Sequence, residues 1–249
     1  MTEKEAAHYL ELSNQLEDSL GGCPEAIDLT QVHLSFRWAY DLATDPRILD
    51  VVEDLIGHDI LIWATSIFSK HEQSSSFVGW HQDEKYWGLD SSTVVSVWVA
   101  LSKSDVYNGA MKVIPKTHLL DVLPHLETQS TRNMLSRGQE VKFEFNDSEV
   151  RHLVLNPGQA SLHNIRIIHG SEPNNSNVKR VGFAIRYIAP SVKQLGEKTK
   201  AVLARGIDNY RHFELAPPPE IMQLENAVNQ HRIASQDFLL KIARSYRPQ

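Results

Sequence analysis

The sequence predicts a mainly β fold, a barrel or jelly roll of short strands with helices at its flanks. Three observations carry that expectation. After Gly57 the texture changes from helical spacing to runs rich in β-branched and aromatic residues. Seven or eight such runs follow, separated by turn chemistry. A chain of 249 residues is also an ordinary length for a single all-β domain.

Taken in order, residues 1–20 predict an amphipathic helix with Tyr9, Leu10, Leu12 and Leu16 on its apolar face, ended by Gly21-Gly22. A second helix starts at Asp45-Pro46, an N-cap followed by a proline whose missing N–H costs nothing there. Ile48, Leu49, Val52, Leu55 and Ile56 fall at helical spacing, and Gly57 stops it. Ile60–Phe68 reads as a buried strand, and Thr93–Leu101 is the clearest strand of the chain. Asn108-Gly109 is a turn before the short strand Met111–Ile114. Residues 119–140 are polar and mixed, which predicts a helical or loop insertion. Val141–Phe145, His152–Leu155, Gln159–His163, Arg166–His169 and Arg180–Ile188 are the remaining strands. Asn156-Pro157-Gly158 turns between two of them, and a polar loop over 171–177 leads into the last. Beyond Pro190 the texture is helical, with a final helix from about Glu220 to Ser245.

Composition narrows the function. A hydrophobic fraction of 41% is that of a globular protein, and a formal charge of −6 argues against nucleic acid or an anionic membrane as partner. Cys23 is the only cysteine, so an intrachain disulfide and a thiolate zinc cluster are both excluded. The first residues are charged and lack the apolar core of a signal peptide. No apolar run reaches the roughly 18–20 residues that cross a bilayer. The expected location is the cytoplasm.

His81 and Asp83 stand in an H-x-D spacing, and in an extended segment residues two apart project to the same side. His125-x-Glu127 and His212-x-Glu214 share that spacing but lie in polar surroundings, where a solvated pair is the simpler reading. His81 and Asp83 lie among Phe77, Trp80, Tyr86 and Trp87, just before the clearest strand. His169, at the end of an apolar run, is the third candidate ligand. Two histidines and a carboxylate suit non-haem iron(II) or zinc. Arg180 opens a strand whose alternation puts Arg180, Gly182, Ala184 and Arg186 on one face. A buried guanidinium needs a counter-ion and holds a carboxylate in bidentate fashion; a structural salt bridge is the competing reading.

These residues resemble the phytanoyl-CoA dioxygenase family, which includes ectoine hydroxylase. The matching set is Trp80-His-Gln-Asp83, Tyr86-Trp87, Ser96–Leu101, Asn108-Gly109, Ile114–His118, Pro157-Gly158, His169-Gly-Ser171, Asn174 and Arg180–Tyr187, in the family's order. The resemblance implies a double-stranded β-helix (a cupin-like jelly roll) in one domain, residues 1–249, with its core over about 30–190 and a helical C-terminal extension over about 191–249. It implies iron(II) on His81, Asp83 and His169, with 2-oxoglutarate and O2 as cosubstrates. Arg180 is similar to the anchor of the distal 2-oxoglutarate carboxylate, Ser171 to its hydrogen-bonding partner, Trp98 to a tryptophan lining the pocket, and Lys70 to a cosubstrate-contacting lysine. The implied reaction hydroxylates a C–H bond of a small molecule and releases succinate and CO2. Related halogenases lack the metal-binding carboxylate, so Asp83 favours hydroxylation. Tyr86, Trp87, Asn108, His163, Arg37, His33 and Trp38 are the candidates for contact with the substrate. The rival readings are a cupin-like zinc hydrolase or isomerase and a non-catalytic β-barrel that binds a ligand.

Overall fold

Capping chemistry sets the helix boundaries in the computed structural model, which describes residues 1–22, 24–128, 130, 132–135 and 138–245. Cys23 and part of the 119–140 insertion lie outside the described residues. Helix α1 (Glu3–Ser19) ends before Gly21 and Gly22, whose φ angles of +103° and +85° suit glycine alone. Helix α2 (Arg37–Ala43) was not foreseen. Helix α3 (Pro46–Ile56) is capped as expected, with the Asp45 carboxylate accepting from the Arg47 N–H at 2.9 Å.

The remaining elements, in chain order, are β1 (Ile60–Lys70), β2 (Val78–His81), α4 (Glu84–Trp87), β3 (Val94–Ala100), β4 (Met111–Ile114), β5 (His125–Glu127) and β6 (Gln139–Val141). They continue with β7 (Arg151–His152), β8 (Ala160–Asn164), β9 (Ile168–Ser171), β10 (Arg180–Ile188), β11 (Lys200–Arg205), β12 (Glu214–Leu215) and α5 (Leu224–Ser245). The chain separates into two compact units, and β1, β3 and β10 contribute residues to both.

The first unit comprises Met1–Leu10, Phe68–Lys85 and Trp98–Phe183. Its four-stranded sheet has the order β2-β9-β4-β7. β9 pairs antiparallel with β4, so that Met111 stands opposite Ser171 and Val113 opposite His169. Side chains of a strand alternate, so His169 and Ser171 share one face with Met111 and Val113. On its other edge β9 pairs with β2, where Val78 meets Ser171 and His81 meets His169. Three steps along β2 therefore match two along β9. That irregularity is a bulge, which re-aims the side chains beyond it. Within this unit the ends of β1, β10 and β3 and the strand β8 lie in that order in a second sheet.

Two expectations fail in the first unit. Of the two readings of the insertion, helix or loop, the described residues take neither α-helix nor simple loop: β5 and β6 pair antiparallel, with His125 opposite Val141 and Glu127 opposite Gln139, and loop joins them to the rest. The strands expected over 141–145 and 166–169 are shifted. The former ends at Val141, while Ile165–Ile167 turn and pairing begins at Ile168. Short strands take their limits from their partners, which periodicity does not reveal.

The second unit comprises Glu11–Ile67, Tyr86–Val97 and Ala184–Gln249. Its strands follow the order β12-β11-β1-β10-β3. Ile60, Leu61, Ile62, Ile185 and Tyr187 are fully buried, and the Tyr187 hydroxyl donates to the Ala43 carbonyl at 2.7 Å. The helical reading of the stretch between Pro190 and about Glu220 is corrected here, because β11 pairs with β1 through Leu61–Leu203 and Ile62–Val202, whereas the final helix stands as α5. Ala and Leu favour helix in isolation, but the open edge of a buried strand overrides that preference. Arg205 fixes the end of β11 on α3 by donating to Glu53 at 2.6 Å and Asp50 at 2.8 Å.

Candidate metal centre and active site

His81 ends β2, Asp83 lies just before α4, and His169 stands across from His81 on β9. One ligand atom from each lies within 4.8 Å of the others, the only such group of three among the described residues. Asp83 Oδ1 is 3.2 Å from His81 Nε2 and 4.0 Å from His169 Nε2, and the two imidazole centroids are 4.1 Å apart. Both histidines are buried.

The ring nitrogens have distinct roles. His81 Nδ1 donates to the Gly79 carbonyl at 2.9 Å, and His169 Nδ1 donates to the Ile167 carbonyl at 3.0 Å. Where Nδ1 carries the ring's single proton, Nε2 presents a lone pair. Burial, and next the neighbouring His81 ring, hold the His169 pKa down at about 3, so it is neutral at pH 7. Two lone pairs and a carboxylate oxygen then face one another, an arrangement that a cation relieves. Backbone carbonyls on the second nitrogen are the usual means of orienting metal-bound histidines. The donor set therefore fits a divalent metal such as iron(II) or zinc, with open positions for exogenous ligands.

In the same unit two basic side chains, Arg180 and Lys70, are buried, and Lys70 reaches Ser171, two residues beyond His169 on β9. Arg180 is buried and has no ion-pair partner among the described residues, and its Nε–H lacks an acceptor. Burial alone lowers its pKa to about 10. The competing salt-bridge reading thus finds no counter-ion among the described residues. The guanidinium carbon lies 5.3 Å from the centroid of the Trp98 ring, and that ring occupies the place a Cβ on Gly182 would take. Lys70, only 1% exposed, donates to Ser171 Oγ at 2.7 Å and to the Glu172 carbonyl. Burial and then Arg180 lower the Lys70 pKa to about 6. A buried guanidinium with no ion-pair partner among the described residues, beside a lysine amine that burial leaves largely uncharged at pH 7, amounts to a site for an anion, whose arrival would also favour protonation of Lys70.

The other candidates divide. The His163 ring lies 5.2 Å from that of His169. Asn108 is spent on its own turn, donating to the Lys103 carbonyl and accepting from the Asp105 N–H, both at 2.8 Å. In the second unit, Trp87 packs on Trp63 at 5.1 Å and lies 5.6 Å from the Arg186 guanidinium, while Tyr86 is buried. Arg37 pairs with Asp41 and, with Trp38, lines a separate cavity of about 200 Å³ among Leu12, Leu16 and Phe36. His33 is buried against Thr65, with Nδ1 2.9 Å from its hydroxyl. Sequence reading also passed over His125, whose Nε2 accepts from the Gln82 N–H at 3.0 Å. Its polar surroundings in the sequence suggest a solvated pair, and the β5–β6 pairing is the missing signal.

With this geometry in view, comparison with known proteins is informative. The non-haem monooxygenase ThoJ in its apo form superposes with a TM-score of 0.85 at 30% identity, covering 98% of this chain and 92% of that one. The fold is accordingly the cupin-like jelly roll, mainly β with flanking helices. Among curated proteins, a probable α-ketoglutarate-dependent hypophosphite dioxygenase of Stutzerimonas stutzeri is 29% identical over 63% of this chain and 55% of its own length. The ectoine dioxygenase of Sphingopyxis alaskensis is 25% identical over 67% of this chain and 59% of its own length. The chain thus spans a little over half the length of these relatives. The profile of the phytanoyl-CoA dioxygenase (PhyH) family matches residues 24–182, which include all three converging side chains and the buried arginine. That match covers well over half of the sequence, and the chain belongs to the phytanoyl-CoA dioxygenase family.

Proposed function

We propose that this protein is a non-haem iron(II)- and 2-oxoglutarate-dependent dioxygenase that hydroxylates a C–H bond of a small-molecule metabolite. The observation that carries the reading is the pairing of the His81–Asp83–His169 group with a buried, uncompensated Arg180. A zinc hydrolase would need the three ligands but has no use for that arginine. A reducing, cytoplasmic setting fits the single cysteine, and among the described residues no helix is long and apolar enough to cross a membrane.

In this reading His81, Asp83 and His169 hold iron(II), which when bound couples oxidative decarboxylation of 2-oxoglutarate by O2 to oxygen insertion. The overall change is R–H plus 2-oxoglutarate plus O2 to R–OH plus succinate plus CO2. Arg180 clamps the distal carboxylate with two charge-assisted hydrogen bonds, in a site where burial strengthens them. Ser171 donates its hydroxyl proton to the same carboxylate, and Lys70 fixes that orientation by donating to Ser171 Oγ. Trp98 backs the guanidinium and keeps water from it. Relatives that act on hypophosphite and ectoine show how widely substrates vary in this family. Here the substrate is a small amphiphilic or anionic molecule, and His163, whose ring lies 5.2 Å from that of His169, is a candidate to contact it.

The test is succinate formation by purified protein with iron(II), 2-oxoglutarate and air, across a panel of small metabolites. Slow substrate-free turnover, stimulated by one class of metabolite, is expected. No succinate under any condition would overturn the proposal.

A further inference from the structure

Regular pairing of the ligand-bearing segment ends at His81, before Asp83 is reached. His81 lies past the β2 bulge and Asp83 lies beyond the strand. Other groups must therefore fix their relative orientation, and the insertion supplies them.

Gln82, between the two, is fully buried. Its side-chain amide donates to the Arg166 carbonyl at 2.8 Å and the Asp121 carbonyl at 3.4 Å, while its oxygen accepts from the Leu123 N–H at 2.8 Å. Its backbone N–H donates to His125 Nε2 at 3.0 Å. His125 can accept there only in the tautomer with its proton on Nδ1, and that proton is directed to the Leu123 carbonyl at 2.8 Å. Upstream, the Asn133 side-chain oxygen accepts from the Gly79 N–H at 3.3 Å. A Cβ on Gly79 would come within 2.9 Å of the Gln139 carbonyl and 2.8 Å of Glu140 Cγ. The insertion grips the ligand-bearing segment on both sides of His81.

We propose that His125, together with Gln82, is a positioning residue of the metal centre. It holds the peptide between His81 and Asp83 so that imidazole and carboxylate converge on one ion. This inference rests on the metal-centre reading above. Outer groups that orient ligands typically contribute about 10–100-fold to metal affinity.

Cobalt(II) is the probe, followed by its d–d absorption and by calorimetric titration of the purified protein. His125→Leu should weaken cobalt(II) binding by about tenfold or more and change the absorption envelope. His125→Gln puts an acceptor oxygen where Nε2 stood and should restore most of the affinity and the original envelope. Wild-type affinity and spectrum in His125→Leu would overturn the proposal, as would a glutamine variant as weak as the leucine one. Should His125→Leu fail to fold, Gln82→Met decides by the same two readouts: weakened, altered binding supports the proposal and unchanged binding overturns it. A wild-type protein that binds no cobalt(II) would instead remove the metal-centre reading, and this inference with it.

Discussion

Two places in the molecule bury a pair of imidazoles, and they differ in what faces the free nitrogen. In the first unit, His81 and His169 each spend Nδ1 on a backbone carbonyl and direct Nε2 toward Asp83. In the second unit, His33 spends Nδ1 on Thr65, and His231 on α5 spends Nε2 on the Asp28 carbonyl at 2.6 Å. His33 Nε2 and His231 Nδ1 have no hydrogen-bond partner, and no carboxylate joins the two in a three-ligand group among the described residues. Burial holds both His169 and His33 at a pKa of about 3. Neutrality and burial are therefore not what distinguishes a metal site. Convergence of lone pairs on a carboxylate does.

The largest effect expected from this contrast comes from the carboxylate itself. Asp83→Ala should lower metal affinity by more than about 100-fold in a calorimetric titration and abolish succinate formation, exceeding what loss of an orienting group costs. His33→Leu should leave metal affinity unchanged while lowering unfolding free energy by about 1–3 kcal/mol in urea. Equal effects of the two changes on metal binding would break the distinction. Next in size is Arg180→Ala, which removes a buried charge-assisted contact worth about 2–5 kcal/mol. Its 2-oxoglutarate dissociation constant should rise by at least about 30-fold with metal affinity retained. An unchanged constant would mean that Arg180 serves the fold alone.

A smaller effect concerns pH. His33 and His169 titrate near 3 when folded and near 6.5 when unfolded. Above about pH 6.5 neither state binds protons at these sites, so they impose no pH dependence. Below it the unfolded chain takes up protons first, and stability falls until the folded residues protonate near pH 3. Each site adds at most ~1.4 kcal/mol per pH unit to that slope. Urea midpoints of the metal-free protein should fall between pH 6 and 4, and less steeply in His33→Leu. A flat profile would contradict neutral burial at both places. The smallest effect is expected at the exposed Arg37–Asp41 pair. Asp41→Ala should change stability by under about 0.5 kcal/mol, measured in the same urea series.

Much of this was legible in the sequence because it depends on local chemistry. Asp45-Pro46 and Gly57 bound α3 where capping rules place them, and the alternation in Arg180–Ile188 correctly buries Val181, Phe183, Ile185 and Tyr187. The convergence of His81, Asp83 and His169 was anticipated from spacing and from family resemblance. What escaped was set by pairing between distant segments. Lys200–Arg205 looks helical until β1 offers an edge, and His125 looks solvated until β6 closes the hairpin. Asn108 was a candidate for substrate contact, but its side chain is consumed within its own turn. A polar residue's hydrogen-bond partners are a property of three-dimensional closure, which a linear motif does not encode.

The central claim, that one buried group holds the metal beside an arginine-anchored oxo acid, is tested most directly by anaerobic absorption spectroscopy. Wild-type protein titrated with one equivalent of iron(II) and then with 2-oxoglutarate should develop a weak, broad visible charge-transfer band that saturates. Asp83→Ala should show none, and Arg180→Ala should need far more 2-oxoglutarate to reach it. A wild-type protein that develops no band at saturating iron(II) and 2-oxoglutarate would contradict the account.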